Sequence, residues 1–367
     1  VHEGSFPLRP PAPRRTPFSR TLALSLTLGL ALVAPGAGLP AQQTAVAPAP
    51  RTGAEGDLDL LRAEIERLSE PAEGRVGVGV LHLESGREVY VHGDEGFPMA
   101  STYKVPIAVQ LLTRVERGEV RLDSLVSVRP GHLHPGSGTL TPLFDDPGVL
   151  LSVRNLTDLM LQISDNSATD LVLDVAGGGE AVTARMGELG FSGIRVDRPT
   201  VELIGDYAGI EELPPSDEIT SEVWDELTDP LTEEVRDSAR VAFDHDPQDT
   251  ATPRAMTRLL EGIWEAEFLS RESSDLLLEI MYGCRTGENR LKGMLPPDTE
   301  VAHKTGTIGR TTSDVGIIDL PHGAGHVVVV VFVKESEVPI RERERVIAQI
   351  ARAAHDWFTF RAGESGG

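Results

Sequence analysis

Cysteine is almost missing from this chain. Cys284 stands alone, so no intrachain disulfide can form, and with no base placed beside it by the sequence it reads as a small core or loop residue. Positive charge is scarce as well. Against 57 Asp and Glu there are 34 Lys and Arg, a formal net charge of −23. Nucleic acid and anionic lipid both demand the opposite sign, so neither is expected as a partner. The apolar run from Leu22 to Ala34 is too short to span a bilayer comfortably, so no stable membrane anchor is expected. His132 and His134 alternate around Leu133 as two ligands on one strand face would, but no third ligand follows at a convincing spacing. No metal and no cofactor is therefore expected. No internal repeat is visible, and nothing in the chain speaks to oligomeric state.

What is present divides along the chain. Arg14, Arg15 and Arg20 precede the apolar run, and Gly36, Ala37 and Gly38 follow it. That is the charged, apolar, small-residue layout of a secretory signal, which assigns residues 1–42 to a signal and cleavage region and the product to a secreted or periplasmic location. Residues 43–56, rich in Ala, Pro, Gln and Thr, read as a disordered spacer. Residues 57–361 read as the folded domain, and 362–367 as a disordered tail. Within the domain, acidic residues crowd Glu211 to Asp249, where only Arg236 and Arg240 carry fixed positive charge. This marks an acidic insertion at about 206–250, read as a solvated surface.

Hydrophobic periodicity supplies the fold class. Leu58 to Leu68 has helical spacing, then Arg75 to Leu83 alternates, and Glu84-Ser85-Gly86 turns into a second strand at Glu88 to His92. Near the other end Glu300 to Thr305, Asp314 to Asp319 and Gly325 to Lys334 read as three more strands, with Ile340 to Phe360 as a closing helix. The middle is helical at Leu151 to Leu161, Asn166 to Val175, Gly179 to Leu189 and Pro253 to Trp264. Strands from both chain ends around a helical middle predict an α+β fold, an α/β sandwich in which a five-stranded antiparallel sheet is flanked by helices and joined to an all-helical lobe.

Chemistry concentrates in three triplets. Ser101 and Lys104 lie three apart at the start of a helix, which brings a hydroxyl beside an amine able to take its proton. A helix start also offers free N–H groups to a developing oxyanion. Ser164-Asp165-Asn166 and Lys304-Thr305-Gly306 follow in order. The ordered set S-x-x-K, S-D-N, K-T-G resembles the class A β-lactamases and the related penicillin-binding proteins. The likeness extends to Asp165 through Leu171, Asp197-Arg198, Thr252 through Met256 and Thr286 through Arg290, and covers about residues 57 to 361.

The resemblance implies a β-lactamase/transpeptidase-like fold with the site between lobes, and it implies roles. Ser101 would be the nucleophile and Lys104 its base, its pKa depressed by Lys304. Ser164 would shuttle a proton to the leaving nitrogen, and Asn166 would hold the substrate amide. Lys304, Thr305, Gly306 and Thr307 would align the substrate along an edge strand, and Arg290 would serve its carboxylate. The backbone N–H groups of Ser101 and Thr307 would form the oxyanion hole. His303 reads as a residue that tunes Lys304 or faces solvent. The implied substrate is a small-molecule β-lactam or a D-Ala-D-Ala peptide, leaving three readings: a β-lactam hydrolase, a D-Ala-D-Ala carboxypeptidase of the penicillin-binding type, or a non-catalytic penicillin-binding sensor.

One position departs from the pattern. Where those enzymes carry a glutamate that activates the deacylating water, gapless counting from Asp197-Arg198 puts Thr200, and Ile204 stands where an asparagine would hold that water. Threonine is no general base at neutral pH. Glu202 could substitute only if the loop is re-registered.

Overall fold

The structure is a computed structural model that describes residues 52–362. The expected signal region and residues 43–51 of the expected spacer lie outside the described residues, as do 363–367 of the expected tail. Helix α1 (Thr52–Ser69) begins inside the stretch read as spacer. Among the described residues no helix is long and apolar enough to cross a membrane.

Five strands form one antiparallel sheet: β1 (Arg75–His82), β2 (Arg87–Val91), β3 (Val301–Ile308), β4 (Thr311–Leu320) and β5 (Gly325–Lys334), in the order β2-β1-β5-β4-β3. The first and last parts of the chain thus meet at the β1–β5 seam, paired from Arg75 with Lys334 to His82 with Val327. Along β5 the side chains alternate between two cores. Val328, Val330 and Phe332 face one, while Val327, Val329, Val331 and Val333 face the other. A strand covered on both faces must be apolar at every position, which is why this run lacks the polar alternation of a surface strand.

Each core is closed by helices whose apolar residues recur at helical spacing. Leu61, Ile65 and Leu68 of α1 pack with Ile347, Ile350 and Ala354 of α7 (Ile340–Ala362) on one face. On the opposite face lies α5 (Pro253–Glu265), through Met256, Leu259, Leu260 and Ile263. That second core continues into a helical lobe built on α2 (Lys104–Glu116) and α3 (Asn166–Ala176). Residues Val105 to Leu112 of α2 are all buried. A helix enclosed on every side is fixed by its packing, each large apolar side chain contributing about 1.5–3 kcal/mol on burial. The segment that carries Ser101 and Lys104 therefore has little freedom to move.

Four helices of eight or more residues go beyond the sequence reading: α4 (Thr200–Ala208), α6 (Arg271–Tyr282), and two inside the acidic insertion, Ser221–Thr228 and Glu233–Asp244. The insertion helices are capped by Thr220 and Thr232, whose hydroxyls accept from Val223 N and Val235 N. Arg198 ties this region down by pairing with Asp206, with Asp246 at 3.0 Å and with Asp249 at 2.7 Å. Another difference concerns the two histidines. His132 ends a tight 3₁₀ turn, Pro130–His132, instead of lying on a strand. Its ring meets the Arg129 guanidinium at 2.8 Å, whereas the buried His134 ring approaches Asp170 at 3.4 Å.

Candidate active site

Ser101 lies in a 3₁₀ turn, Ala100–Tyr103, that runs directly into α2. The residue before it, Ala100, has φ +45°, a left-handed conformation that costs a non-glycine residue of order 1–3 kcal/mol. One turn on, Lys104 is fully buried. Its Nζ donates to Ser164 O at 2.8 Å, to Ser164 Oγ at 3.1 Å and to Asn166 Oδ1 at 3.1 Å. Ser164 is also left-handed, φ +61°, and this turn presents its carbonyl and hydroxyl to the same amine.

Asp165 takes no part in this cluster. Its Oδ1 caps α3 by accepting from Ala168 N at 2.9 Å, and its Oδ2 accepts from Thr139 N at 2.6 Å and Leu140 N at 2.9 Å. The loop thus clamped returns Ser137, whose Oγ donates to Ser164 O at 2.8 Å. Pro135 O accepts from Asn166 Nδ2 at 3.0 Å, which fixes the amide with its oxygen toward Lys104.

Strand β3 brings the third triplet. Lys304 Nζ donates to Ser164 Oγ at 3.0 Å and to Thr305 O at 2.8 Å, so two buried amines share one hydroxyl. Burial pushes both pKa values down. Lys304 falls to about 8, with the Arg290 charge adding to the effect, while Lys104 falls well below the ordinary amine range through burial first and the Lys304 charge second. Gly306 permits the closest approach of β3 to the serine. A Cβ there would lie 2.5 Å from Met99 O, 2.5 Å from Ser313 Oγ and 3.1 Å from Ser101 N. Only a residue without a side chain lets the strand backbone sit against the amide of Ser101.

Ser101, Ser164, Asn166, Thr305 and Thr307 all line one cavity of about 410 Å³ between sheet and helical lobe. Arg290 reaches its wall but is buried and engaged. It donates to Gly306 O at 2.9 Å, Ser313 O at 3.0 Å and Thr307 Oγ1 at 2.6 Å, and pairs with Glu344 at 3.1 Å. It acts on the cavity chiefly by holding Thr307. Thr286, which sequence reasoning did not single out, bonds Thr305 through their hydroxyls at 2.6 Å.

The opposite wall is formed by α4, which presents Thr200, Leu203, Ile204 and Tyr207 to the cavity. These positions share a helix face; Glu202 falls off it and is not among the lining residues. The re-registered loop that would deliver Glu202 is thus not what forms, because Thr200 opens a regular helix. Its first N–H groups are taken by a distant carboxylate, Asp170, from Thr200 N at 2.6 Å and Val201 N at 3.1 Å. The Thr200 hydroxyl bonds Tyr103 OH. Asp206 is spent on Arg198, and Glu211 and Glu212 are exposed and do not line the cavity. Among the described residues that line the cavity none is Asp or Glu.

Residues 60–358 match the β-lactamase enzyme family. β-Lactamase VEB-1 of Pseudomonas aeruginosa is 28% identical over 310 residues, covering 82% of this chain and 91% of that protein. A β-lactamase from Chitinophaga pinensis superposes with a TM-score of 0.67 at 29% identity, over 81% of this chain and 98% of that one. An ancestral class A β-lactamase gives a TM-score of 0.65 at 32% identity, over 81% and 99%.

Proposed function

This chain belongs to the class A β-lactamase family of serine hydrolases, and we propose that it is an exported enzyme acylated at Ser101 by the β-lactam amide, with release of the acyl group as the slow step. One observation carries the proposal. Two amines of lowered basicity meet a single hydroxyl, Ser164 Oγ, beside a cavity that Ser101 also lines and to which none of the described residues contributes a carboxylate.

The division of labour follows from charge. Two ammonium groups 3.1 and 3.0 Å from one hydroxyl repel in a buried site, so one amine stays neutral. Lys104, the more strongly depressed, takes the proton of Ser101 as its Oγ bonds to the lactam carbonyl carbon. The N–H groups of Ser101 and Thr307 receive the oxyanion. Ser164 passes a proton to the lactam nitrogen as the C–N bond breaks, and is itself reprotonated from the lysine pair. Lys304 as ammonium, with Thr305 and Thr307, binds the substrate carboxylate, and Asn166 holds the amide. Export is supported by the Arg14-to-Gly38 layout.

Deacylation lacks a comparable base. Thr200 stands at the wall where a carboxylate would serve, and its hydroxyl is already committed to Tyr103. The same observation favours a second reading, a D-Ala-D-Ala peptidase of the penicillin-binding type, in which β-lactams are trapped instead of turned over. Nitrocefin separates the two. A stoichiometric burst followed by sustained slow hydrolysis, both lost in Ser101→Ala, supports the hydrolase; a burst with no further turnover, alongside release of D-alanine from an acyl-D-Ala-D-Ala peptide, supports the peptidase.

A further inference from the structure

We propose that the insertion helix Glu233–Asp244 braces the two walls of the cavity and holds Tyr207 across one end of it, so that the site takes β-lactams with a compact apolar acyl side chain and turns away branched ones. This rests on the hydrolase reading above and names the substrate class of that same site. Leu203, Ile204 and Tyr207 from α4 and Ile308 from β3 add apolar surface to the cavity beside its hydroxyls and the Asn166 amide. In a ligand site such surface receives the part of the molecule that does not react. Tyr207 spans from one wall to the other. Its ring lies against Gly309, in the turn between β3 and β4, where a Cβ would come within 2.7 Å of two ring carbons. A wall helix that touches the turn of the facing strand shuts the cleft at that point.

The insertion secures that closure from both sides. Phe243 and Asp244 are the only buried residues of the helix Glu233–Asp244, and each grips a different wall. Phe243 meets the Tyr207 ring edge to face, with centroids 5.5 Å apart and planes at 87°, a favoured aromatic arrangement. Asp244 pairs with Arg310, the residue after Gly309, and Arg310 also reaches Glu337 at 2.7 Å. Earlier in the helix Val235 and Ala239 lie over Gly209 at the end of α4, where a Cβ would sit 3.0 Å from Val235 Cγ1 and 3.2 Å from Ala239 Cβ. The turn is also fixed by the chain beyond β5, since Gly309 O accepts from Arg343 Nη1 at 2.8 Å and Arg310 O from Ser336 N at 3.3 Å. One helix of the insertion is therefore bolted to α4 at Gly209 and Tyr207 and to the β3–β4 turn at Arg310. Neither Phe243 nor Asp244 lines the cavity, so both act on substrate through Tyr207 and the turn.

Phe243 and Asp244 are positioning residues, and a change in substrate preference distinguishes that role from packing. Cephalothin and cefotaxime share a nucleus and an acetoxymethyl group and differ in the acyl side chain, flat in the first and branched in the second. Second-order acylation rates for both are measured on wild type, Phe243→Ala, Asp244→Asn, Tyr207→Ala and Tyr207→Phe, with thermal melts confirming which are folded. One methylene too many or too few in an apolar pocket changes a rate by about 10–200-fold, so wild type should favour cephalothin by at least about tenfold. Phe243→Ala should raise the cefotaxime rate by about tenfold and move the cephalothin rate by less than about twofold, with Asp244→Asn acting in the same direction. Tyr207→Ala should lose the preference, and Tyr207→Phe, which keeps the ring, should retain it. Equal rates for the two compounds on wild type, or a ratio unmoved in every folded variant, overturns the proposal. Hydrogen exchange gives a second readout that needs no acylation. In Phe243→Ala or Asp244→Asn, backbone exchange should quicken in the segments that carry Tyr207 and Gly309, and exchange unchanged in both refutes the brace. Absence of acylation by either compound would defeat the hydrolase reading, while the exchange result still decides the brace.

Discussion

Gly306→Ala is the sharpest test of how the cleft is assembled. The added methyl carbon would sit 2.5 Å from Met99 O, about 0.9 Å inside ordinary van der Waals contact, and equally close to Ser313 Oγ. Met99 O is backbone and is anchored by Thr102, whose hydroxyl donates to it at 2.8 Å, so it cannot swing aside as a flexible side chain would. The strand must therefore retreat by nearly 1 Å from the turn that carries Ser101. A displacement of that size at reacting groups costs about 10²-fold, near 2.7 kcal/mol in the barrier, while overpacking lowers stability by about 1–3 kcal/mol. Stopped-flow acylation by a fluorescent penicillin, with a thermal melt in parallel, separates the two effects. The variant is expected to stay folded and acylate about a hundredfold more slowly. Acylation within twofold of wild type would refute the idea that the contact between β3 and the serine amide organises the oxyanion site.

Other consequences follow from the same geometry. Arg290→Ala removes a buried partner of Glu344 and of Thr307, so stability should drop by about 3–5 kcal/mol and KM for a carboxylate-bearing β-lactam should rise more than kcat falls; an effect confined to kcat would contradict this. Thr200→Glu puts a carboxylate on the cavity face of α4 and should speed the slow phase of nitrocefin turnover at least about tenfold, whereas Glu202→Gln should leave it unchanged; the reverse pattern would mean the wrong residue faces the acyl group. Acylation should weaken as pH rises through about 8, where Lys304 gives up its proton and the substrate carboxylate loses its ammonium partner. A basic limb that is identical for a substrate lacking that carboxylate would assign the loss elsewhere.

How far the chain could be read depends on how local each signal is. The five strands were legible because β5 alternates between two cores and β1 must pair with it, though Thr311 and Thr312 at the start of β4 gave no apolar cue and that strand is longer than expected. Ser101, Ser164 and Lys304 were legible as motifs whose residue types carry their own chemistry. Helix α4 was not, because the cap that starts it is Asp170, thirty residues upstream, and no local residue announces it. The insertion helices were hidden by charge density. By contrast, α6 has a local cap, Ser270 accepting from Ser273 N, and was readable in principle. Arg290 looked like a free carboxylate binder in sequence; only the fold reveals that strand carbonyls and Glu344 occupy it.

In the proposed mechanism Ser101 Oγ is the atom that bonds to substrate, ahead of a slow release. Incubation of the wild-type protein with benzylpenicillin, quenching over a time course and peptide mapping by mass spectrometry measure this directly. One acyl group should appear on the peptide holding Ser101, form quickly and decay slowly, and be absent from Ser101→Ala. An adduct on any other residue, or hydrolysis that persists in Ser101→Ala, would contradict it.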